Sequence, residues 1–295
     1  MERIEIATEA TMGVVLVPAE ATPHFAVVLP GSGGGIPEGP ARKLADYGIT
    51  TFALGYFGLP GLPPALVGVP IELLQRGIGL FRDRYAGGKA VGVFGWSKGA
   101  ELALLLAARS ADAIGPVVAL APSHVAWFGI EPFRPDQPTA DRGSVRSSWT
   151  ENGDDVPFLP HFPDVAPLFT PSGLRTDVFF DLPRYEPAVL NAARIPVEKA
   201  AGPLLLISGD DDHQWPAAPM ASEVVDRMND HGRSGDVTNI VYPGAGHAFL
   251  HREFFPAPAD WIGPRFDFGG NAGADAAASE DAWPRIASFL QPRLG

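Results

Sequence analysis

The sequence predicts an α/β fold in which helices flank a mostly parallel central sheet. Short runs of aliphatic and β-branched residues recur along the chain, and segments with helical periodicity lie between them. Runs that are continuous rather than alternating are typical of strands buried on both faces. Alternation of such strands with helices predicts βαβ units, after a short antiparallel lead-in at the start of the chain. The predicted strands are 13–17, 25–29, 49–54, 90–94, 116–120, 203–208 and 238–242.

Three segments between these strands have helical patterns. Residues 70–85 place apolar side chains on one stripe and charged ones opposite, which indicates a surface helix. Residues 97–109 are apolar almost all around, with Lys98 and Glu101 as the interruptions, so this helix is expected to be buried. Residues 216–231 form the third predicted helix.

The periodicity fails in the middle of the chain. Between residues 122 and 200, proline, aspartate, glycine and aromatic residues crowd together. An irregular stretch of this length inside a domain is typical of a functional cover. We therefore expect a single α/β domain over residues 1–295, with residues 123–194 inserted as a cap.

Composition excludes several classes of function. The chain carries a formal net charge of −12 and has no cysteine, which removes disulfides, thiolate metal sites and a cysteine nucleophile. No basic run suits nucleic acid, and no apolar stretch approaches the roughly 20 residues that span a bilayer. The acidic residues at the N-terminus do not fit a signal peptide, so a cytoplasmic location is expected. We expect no metal, no cofactor, no nucleic acid and no membrane partner, whereas the oligomeric state stays open.

The strongest local signal is a serine placed between a strand and a helix. Residues 91–100 read Val-Gly-Val-Phe-Gly-Trp-Ser-Lys-Gly-Ala, in which Gly-x-Ser-x-Gly joins the predicted strand to the predicted buried helix. In this context the serine sits on a strained turn that exposes its hydroxyl at the sheet edge. Ser97 is therefore the predicted nucleophile, and the alternative is a serine that only caps a helix.

Two later strands each end in a candidate partner for Ser97. Asp-Asp-Asp-His at 210–213 follows one strand, and a glycine-rich turn ending in His247 follows the next. We expect His247 to be the general base and one aspartate to orient it, since three adjacent carboxylates cannot all be desolvated. Asp212 is chosen over Asp211 for this role. The other two aspartates are expected in the turn. Surface or capping positions are expected for His24, His124, His161, His231 and His251.

An oxyanion formed at Ser97 needs hydrogen-bond donors. One is expected to be the backbone N–H of Lys98, directly after the nucleophile. The second is expected from the glycine-rich loop Leu-Pro-Gly-Ser-Gly-Gly-Gly at 29–35, with Ser32 preferred and Gly33 next. Phosphate binding is the alternative for such a loop, but the Gly-Lys-Ser/Thr ending and the dinucleotide-binding spacing are missing.

These motifs together resemble a known family, the C-terminal α/β-hydrolase domain of acyl-CoA thioesterases and bile acid-CoA:amino acid N-acyltransferases. The resemblance extends over most of the chain. It implies the α/β-hydrolase fold, and it implies Asp212 as the acid of a Ser-His-Asp triad. It also implies that Ser97 attacks an acyl thioester and that the acyl-enzyme is released to water. Some members have cysteine at this position and favour amine acceptors, whereas the resemblance associates serine with hydrolysis. The residues that carry it are 31–35, 95–101, 195–198, 209–215, 242–247, 269–270 and 281–283.

Three other functions stay open at this point. The same triad could cleave an oxygen ester or a lactone, as dienelactone hydrolases do. It could pass the acyl group to an amine or alcohol acceptor. A non-enzymatic binding protein could also keep a hydrolase scaffold.

Overall fold

A large β-sheet forms the centre of the computed structural model, which describes residues 1–132, 143–250 and 265–291. Within these ranges the sheet has eight strands. Their bounds are β1 (Glu2–Thr8), β2 (Thr11–Val17), β3 (Phe25–Leu29), β4 (Thr50–Gly55), β6 (Val91–Trp96), β7 (Ile114–Leu120), β14 (Leu204–Gly209) and β15 (Val237–Tyr242).

The strand order confirms the predicted α/β class. The order is β1-β2-β4-β3-β6-β7-β14-β15. The β1–β2 and β2–β4 pairs are antiparallel, whereas every pair from β4 to β15 is parallel. All parallel strands therefore end at the same edge. All six residues of β6 are buried, but β15 is only partly buried because it lies at the end of the sheet.

Helices cover both faces of the sheet. Their bounds are α1 (Glu38–Ala45), α2 (Ile71–Tyr85), α3 (Lys98–Arg109), α4 (Pro187–Ala193), α5 (Ala217–Asp230) and α6 (Ala272–Leu290). Residues of α2, α3 and α5 pack in one apolar core, and those of α1 and α6 pack in another. Neighbouring residues of β6 point to opposite cores, since Val93 belongs to the first core and Phe94 to the second. This is the alternation that a strand buried on both faces requires.

Helices α1, α4 and α6 were not predicted from the sequence. Helix α6 contains Pro284 in its interior, which normally argues against a helix. Alanines make up much of its buried face, so the apolar stripe is weak, although Trp283 and Ile286 are also buried there. Asn271 caps this helix, because its side chain accepts a hydrogen bond from the N–H of Ala274 at 3.0 Å.

Residues 123–194, which we call the middle segment, contain more regular structure in their described parts (123–132 and 143–194) than the sequence pattern indicated. Short strands form here: β8 (Phe128–Ile130), β9 (Gly143–Ser147), β10 (Trp149–Glu151), β11 (Asp154–Asp155), β12 (Leu168–Thr170) and β13 (Gly173–Arg175). They make small sheets, one of which includes β5 (Val69–Pro70). Strands of two to five residues are too short to produce a readable period. Two of the segment's aromatic residues, Trp127 and Trp149, are fully buried.

None of the helices in the described ranges combines the length and the apolar character that a membrane span requires.

Candidate active site

Ser97 occupies a strained turn between β6 and α3. Its backbone has φ 54° and ψ −125°, a conformation that non-glycine residues avoid. Hydrogen bonds hold the turn from both sides. The N–H of Ser97 donates to the carbonyl of Leu120 at 2.9 Å, and the carbonyl of Ser97 accepts from the N–H groups of Ala100 and Glu101. Ser97 thus lies at the edge of the sheet where the parallel strands end.

The two glycines of the Gly-x-Ser-x-Gly motif permit backbone contacts that no side chain would allow. A Cβ atom on Gly95 would lie 2.1 Å from the carbonyl oxygen of Gly99. A Cβ atom on Gly99 would lie 2.4 Å from the carbonyl oxygen of Pro30. The first contact closes the turn around Ser97, and the second packs the glycine-rich loop against the start of α3.

That loop presents the N–H groups predicted as oxyanion donors. The N–H of Gly34 donates to the carbonyl of Gly31 at 3.1 Å, which makes Ser32 and Gly33 the central residues of a turn. The hydrogen bond that closes the turn uses neither of their N–H groups. Lys98 is the first residue of α3, so its N–H has no partner four residues back within the helix. These donors belong to two segments in direct contact.

Asp212 and His247 form a buried hydrogen-bonded pair. Asp212 follows β14 and His247 follows β15, which are neighbouring parallel strands. The Asp212 Oδ2 atom lies 2.7 Å from His247 Nδ1, and the side chains are 4% and 6% exposed. Because Nδ1 is engaged by the carboxylate, Nε2 is the ring nitrogen that can exchange a proton with a substrate or nucleophile.

Neighbouring residues fix this pair in place. The N–H groups of Gln214 and Trp215 donate to Asp212 Oδ1 at 2.8 and 3.2 Å. The Trp215 ring meets the His247 ring edge to face at 6.1 Å, and the Phe268 ring stacks parallel to it at 6.3 Å. The N–H of His247 also donates to the carbonyl of Phe268 at 2.8 Å. The sequence analysis assigned no role to these three supporting residues.

The adjacent aspartates have different partners. Asp210 Oδ1 accepts a hydrogen bond from the N–H of Gly244 at 2.6 Å and is exposed. Asp211 Oδ1 lies 3.1 Å from His213 Nε2, and the other ring nitrogen of His213 lies 3.2 Å from Asp267. Both aspartates therefore stabilise turns.

His124 is not at the surface, where we expected it. Its residue is 5% exposed, and burial together with the charge of Arg194 lowers its pKa to about 4. Its carbonyl accepts from the N–H of Ile195 at 2.9 Å, so it lies between the end of β7 and the end of the middle segment. The prediction failed because no local pattern shows that the chain after β7 turns inward. Residue His251, predicted at the surface, lies outside the described residues.

A cleft of about 570 Å³ lies beside Asp212. The middle segment contributes Asp177, Phe180 and Asp181 to its wall, and the start of α5 contributes Pro216 and Pro219. Of the three predicted catalytic residues, Asp212 alone lines this cleft, whose walls are apolar and acidic.

Comparison with a protein-family model confirms the resemblance in the C-terminal part of the chain. The family described as BAAT / Acyl-CoA thioester hydrolase C terminal matches residues 176–295. This match contains both Asp212 and His247.

Curated relatives extend the similarity to the whole chain. Acyl-coenzyme A thioesterase 2, mitochondrial, of Mus musculus is 26% identical over 100% of this chain and 61% of its own length. Acyl-coenzyme A thioesterase 6 of the same species is 30% identical over 90% of this chain and 58% of its own length. Acyl-coenzyme A amino acid N-acyltransferase 2, also of Mus musculus, is 28% identical over 100% of this chain and 66% of its own length. The chain thus spans about three fifths of the length of such relatives.

Solved structures confirm the predicted α/β-hydrolase fold. A candidate dienelactone hydrolase of Klebsiella pneumoniae superposes with a TM-score of 0.55 at 14% identity, covering 98% of this chain and 97% of the other. A lipase in its open form superposes with a TM-score of 0.57 at 13% identity, covering 98% of both chains. At these identities the likeness concerns the fold alone.

The contact between Gly99 and Pro30 gives a first prediction. Gly99→Ala forces the glycine-rich loop away from α3, because the new Cβ atom would overlap the Pro30 carbonyl oxygen. We expect the rate at which a fluorophosphonate labels Ser97 to fall about 100-fold, as displacements of about 1 Å do in active sites.

Gly79→Ala is the matched control, since Gly79 lies in α2 and a Cβ atom there meets nothing within 4 Å. It should raise the free energy of unfolding by about 0.5–1 kcal/mol and leave the labelling rate unchanged. Equal labelling rates in Gly99→Ala and the wild type would contradict the interpretation of the loop.

The pairing of Asp212 with His247 gives a second prediction. Asp212→Asn keeps the shape of the side chain but favours the wrong tautomer of His247, so the labelling rate should fall by about four orders of magnitude. Asp210→Asn is the control, because asparagine can still accept the hydrogen bond from Gly244. If both variants label at the same rate, Asp212 does not orient the base.

Proposed function

We propose that this protein is a serine hydrolase that cleaves acyl thioesters through Ser97, His247 and Asp212. The observation that carries the proposal is the buried 2.7 Å pair of Asp212 and His247 at the strand edge where Ser97 occupies its strained turn. Similarity to relatives named acyl-CoA thioesterases favours the thioester over other acyl substrates.

In the proposed first half-reaction the Ser97 hydroxyl oxygen attacks the thioester carbonyl carbon. His247 Nε2 accepts the hydroxyl proton, and Asp212 stabilises the resulting imidazolium. The N–H groups of Lys98 and Ser32 donate to the oxyanion. The carbon–sulfur bond then breaks, the thiolate takes the proton from His247, and an acyl-Ser97 ester remains.

In the second half-reaction water replaces the thiol. His247 accepts a proton from the water molecule as its oxygen attacks the acyl carbon, and the same donors hold the second oxyanion. The ester bond breaks, the proton returns to the oxygen of Ser97, and the carboxylic acid leaves. Every step uses groups of this chain and water.

We propose that the middle segment caps the site and selects the acyl group. Contacts on both sides of the site support this, since Trp127 and Trp149 bond Glu101 in the first turn of α3 and Phe180 packs on Trp215 beside His247. The cleft beside Asp212 has acidic residues of this segment in its wall, so anionic phosphates of a coenzyme A carrier are expected to lie elsewhere. The cytoplasmic location stays a prediction, since acyl-coenzyme A thioesterase 2 of Mus musculus is named as mitochondrial.

Acyl transfer is the second candidate function. It is favoured by one observation, the similarity to a relative named an amino acid N-acyltransferase. The test is to titrate an amine acceptor (glycine, taurine or hydroxylamine) into the assay. If the protein is a transferase, the acyl group will be found on the amine. A constant yield of free acid across the titration supports hydrolysis.

Replacement of the nucleophile gives a third prediction. Ser97→Ala removes the attacking oxygen without adding bulk, so kcat for a series of acyl-CoA substrates should fall by about three orders of magnitude or more while the fold is kept. Thiol release measures kcat, and circular dichroism measures folding. Ser222→Ala removes an exposed serine hydroxyl in α5 and serves as the control, with unchanged kcat.

The bond type is tested with matched thioester and oxygen ester pairs of one acyl chain. We expect kcat/KM to be larger for the thioester. A large preference for the ester or for a lactone would replace the thioester proposal with the dienelactone-type alternative. If Ser97→Ala keeps both the thioesterase and the esterase activity, the serine mechanism itself is wrong.

A further inference from the structure

A cluster of buried polar side chains adjoins the start of α3, and none of these side chains has a part in the proposed reaction steps. It consists of Tyr56, Lys98, Glu101 and Trp149, and we call these four side chains the anchor cluster. All are at most 2% exposed. Buried charged side chains are rare in proteins unless they are paired, so this arrangement calls for a physical explanation.

The carboxylate of Glu101 is the centre of the anchor cluster. Its Oε2 atom accepts a hydrogen bond from Lys98 Nζ at 2.8 Å. Its Oε1 atom accepts from the indole N–H of Trp149 at 2.6 Å and from the backbone N–H of Trp127 at 3.1 Å. Both tryptophans belong to the middle segment. Lys98 Nζ also donates to the carbonyl of Phe128 at 3.5 Å, so two side chains of the first turn of α3 join it to the middle segment.

The cluster also reaches the glycine-rich loop. The Tyr56 ring packs against the Trp149 ring with centroids 5.7 Å apart. The Tyr56 hydroxyl donates to the carbonyl of Pro30 at 2.6 Å. Pro30 is the residue whose carbonyl oxygen also lies against Gly99, and it precedes the turn that contains Ser32. One contact network thus holds the loop, the helix and the middle segment.

The phenol of Tyr56 is suited to this task. Burial and the negative charge of Glu101 raise its pKa well above the ordinary value, so the hydroxyl stays protonated and remains a donor. A carbonyl whose position is fixed by a buried donor cannot shift without losing that hydrogen bond. The position of Pro30 is in this way tied to that of Trp149.

We propose that Tyr56 is a positioning residue for the oxyanion hole: through Pro30 it sets the distance between the loop donor at Ser32 and the helix donor at Lys98. Glu101, Lys98 and Trp149 act through Tyr56 by holding its ring. The inference rests on the proposed function, because an oxyanion hole requires acyl transfer at Ser97. It adds a source of preorganisation that none of the motif residues supplies.

The test is Tyr56→Phe, which removes the one oxygen atom that bonds Pro30 and keeps the ring. We expect kcat for the thioester to fall about 10-fold and KM to change less than about 2-fold. An alkylboronic acid, which forms a tetrahedral adduct with a catalytic serine, should bind about 10-fold more weakly. Inhibition by the carboxylate product should be unchanged, because the product carries no oxyanion.

Tyr185→Phe is the matched control. The Tyr185 hydroxyl donates to the carbonyl of Pro160, also at 2.6 Å, so the variant loses the same kind of bond in the middle segment. Its thermal stability should fall by an amount similar to that of Tyr56→Phe, while its kcat, KM and boronic acid affinity stay at the wild-type values. If Tyr56 contributes to stability alone, Tyr56→Phe and Tyr185→Phe will have the same kcat, KM and boronic acid affinity.

Trp149→Phe provides a second variant, since it removes the indole N–H that bonds Glu101 and keeps an aromatic ring beside Tyr56. It should weaken boronic acid binding and lower kcat by similar factors, with KM little changed. Unchanged kcat and boronic acid affinity in folded Tyr56→Phe and Trp149→Phe overturn the inference. The proposed function is tested separately in the wild type. It is overturned if the wild type hydrolyses neither thioesters nor esters and is not labelled by a fluorophosphonate.

Discussion

The positive φ of Ser97 is maintained by packing of backbone against backbone. Such a conformation costs about 1–3 kcal/mol and persists only where the surroundings leave no alternative. Here β6 is buried along its whole length, and Gly95 and Gly99 let the chain close tightly on either side of the serine. Relaxing the turn would require β6 or α3 to leave its core. The position of Ser97 at the sheet edge is therefore a consequence of how the sheet and helix pack.

The buried pair of Lys98 and Glu101 shows why an apolar helix contains two charges. Removing each ion from water costs several kcal/mol, and burial accordingly raises the pKa of Glu101 and lowers that of Lys98. Hydrophobic residues of similar size would avoid this cost. They could not accept hydrogen bonds from Trp127 and Trp149, so α3 would lose its polar connection to the middle segment. The ion pair is thus better explained by positioning than by stability.

Sequence alone predicted the parts of the site that depend on local patterns. The strand, turn and helix around Ser97 follow from residues adjacent in the chain, and so do the positions of the aspartates and His247 at strand ends. The choice of Asp212 among three adjacent aspartates was supported by the family resemblance. Trp215 and Phe268 were missed because their contacts with His247 join separate segments and follow no period. The same holds for Tyr56, which lies more than forty residues from Glu101 in the chain. Helix α6 was missed for the different reason that alanines and Pro284 obscure its amphipathic stripe.

Both halves of the candidate site are supported by the middle segment, through different contacts. Ser97 and the loop donors depend on the anchor cluster, and hence on the middle segment, whose sheets lie outside the large one. His247 instead rests on Phe268 and Trp215, and the Asp212 backbone pairs with Gly269. The middle segment reaches this second half as well. The Thr176 hydroxyl donates to the carbonyl of Gln214 at 2.7 Å, and the Phe180 ring packs against the Trp215 ring with centroids 5.5 Å apart. Because one segment borders both the turn of Ser97 and the Asp212–His247 pair, a change there can alter acyl selection and proton transfer together.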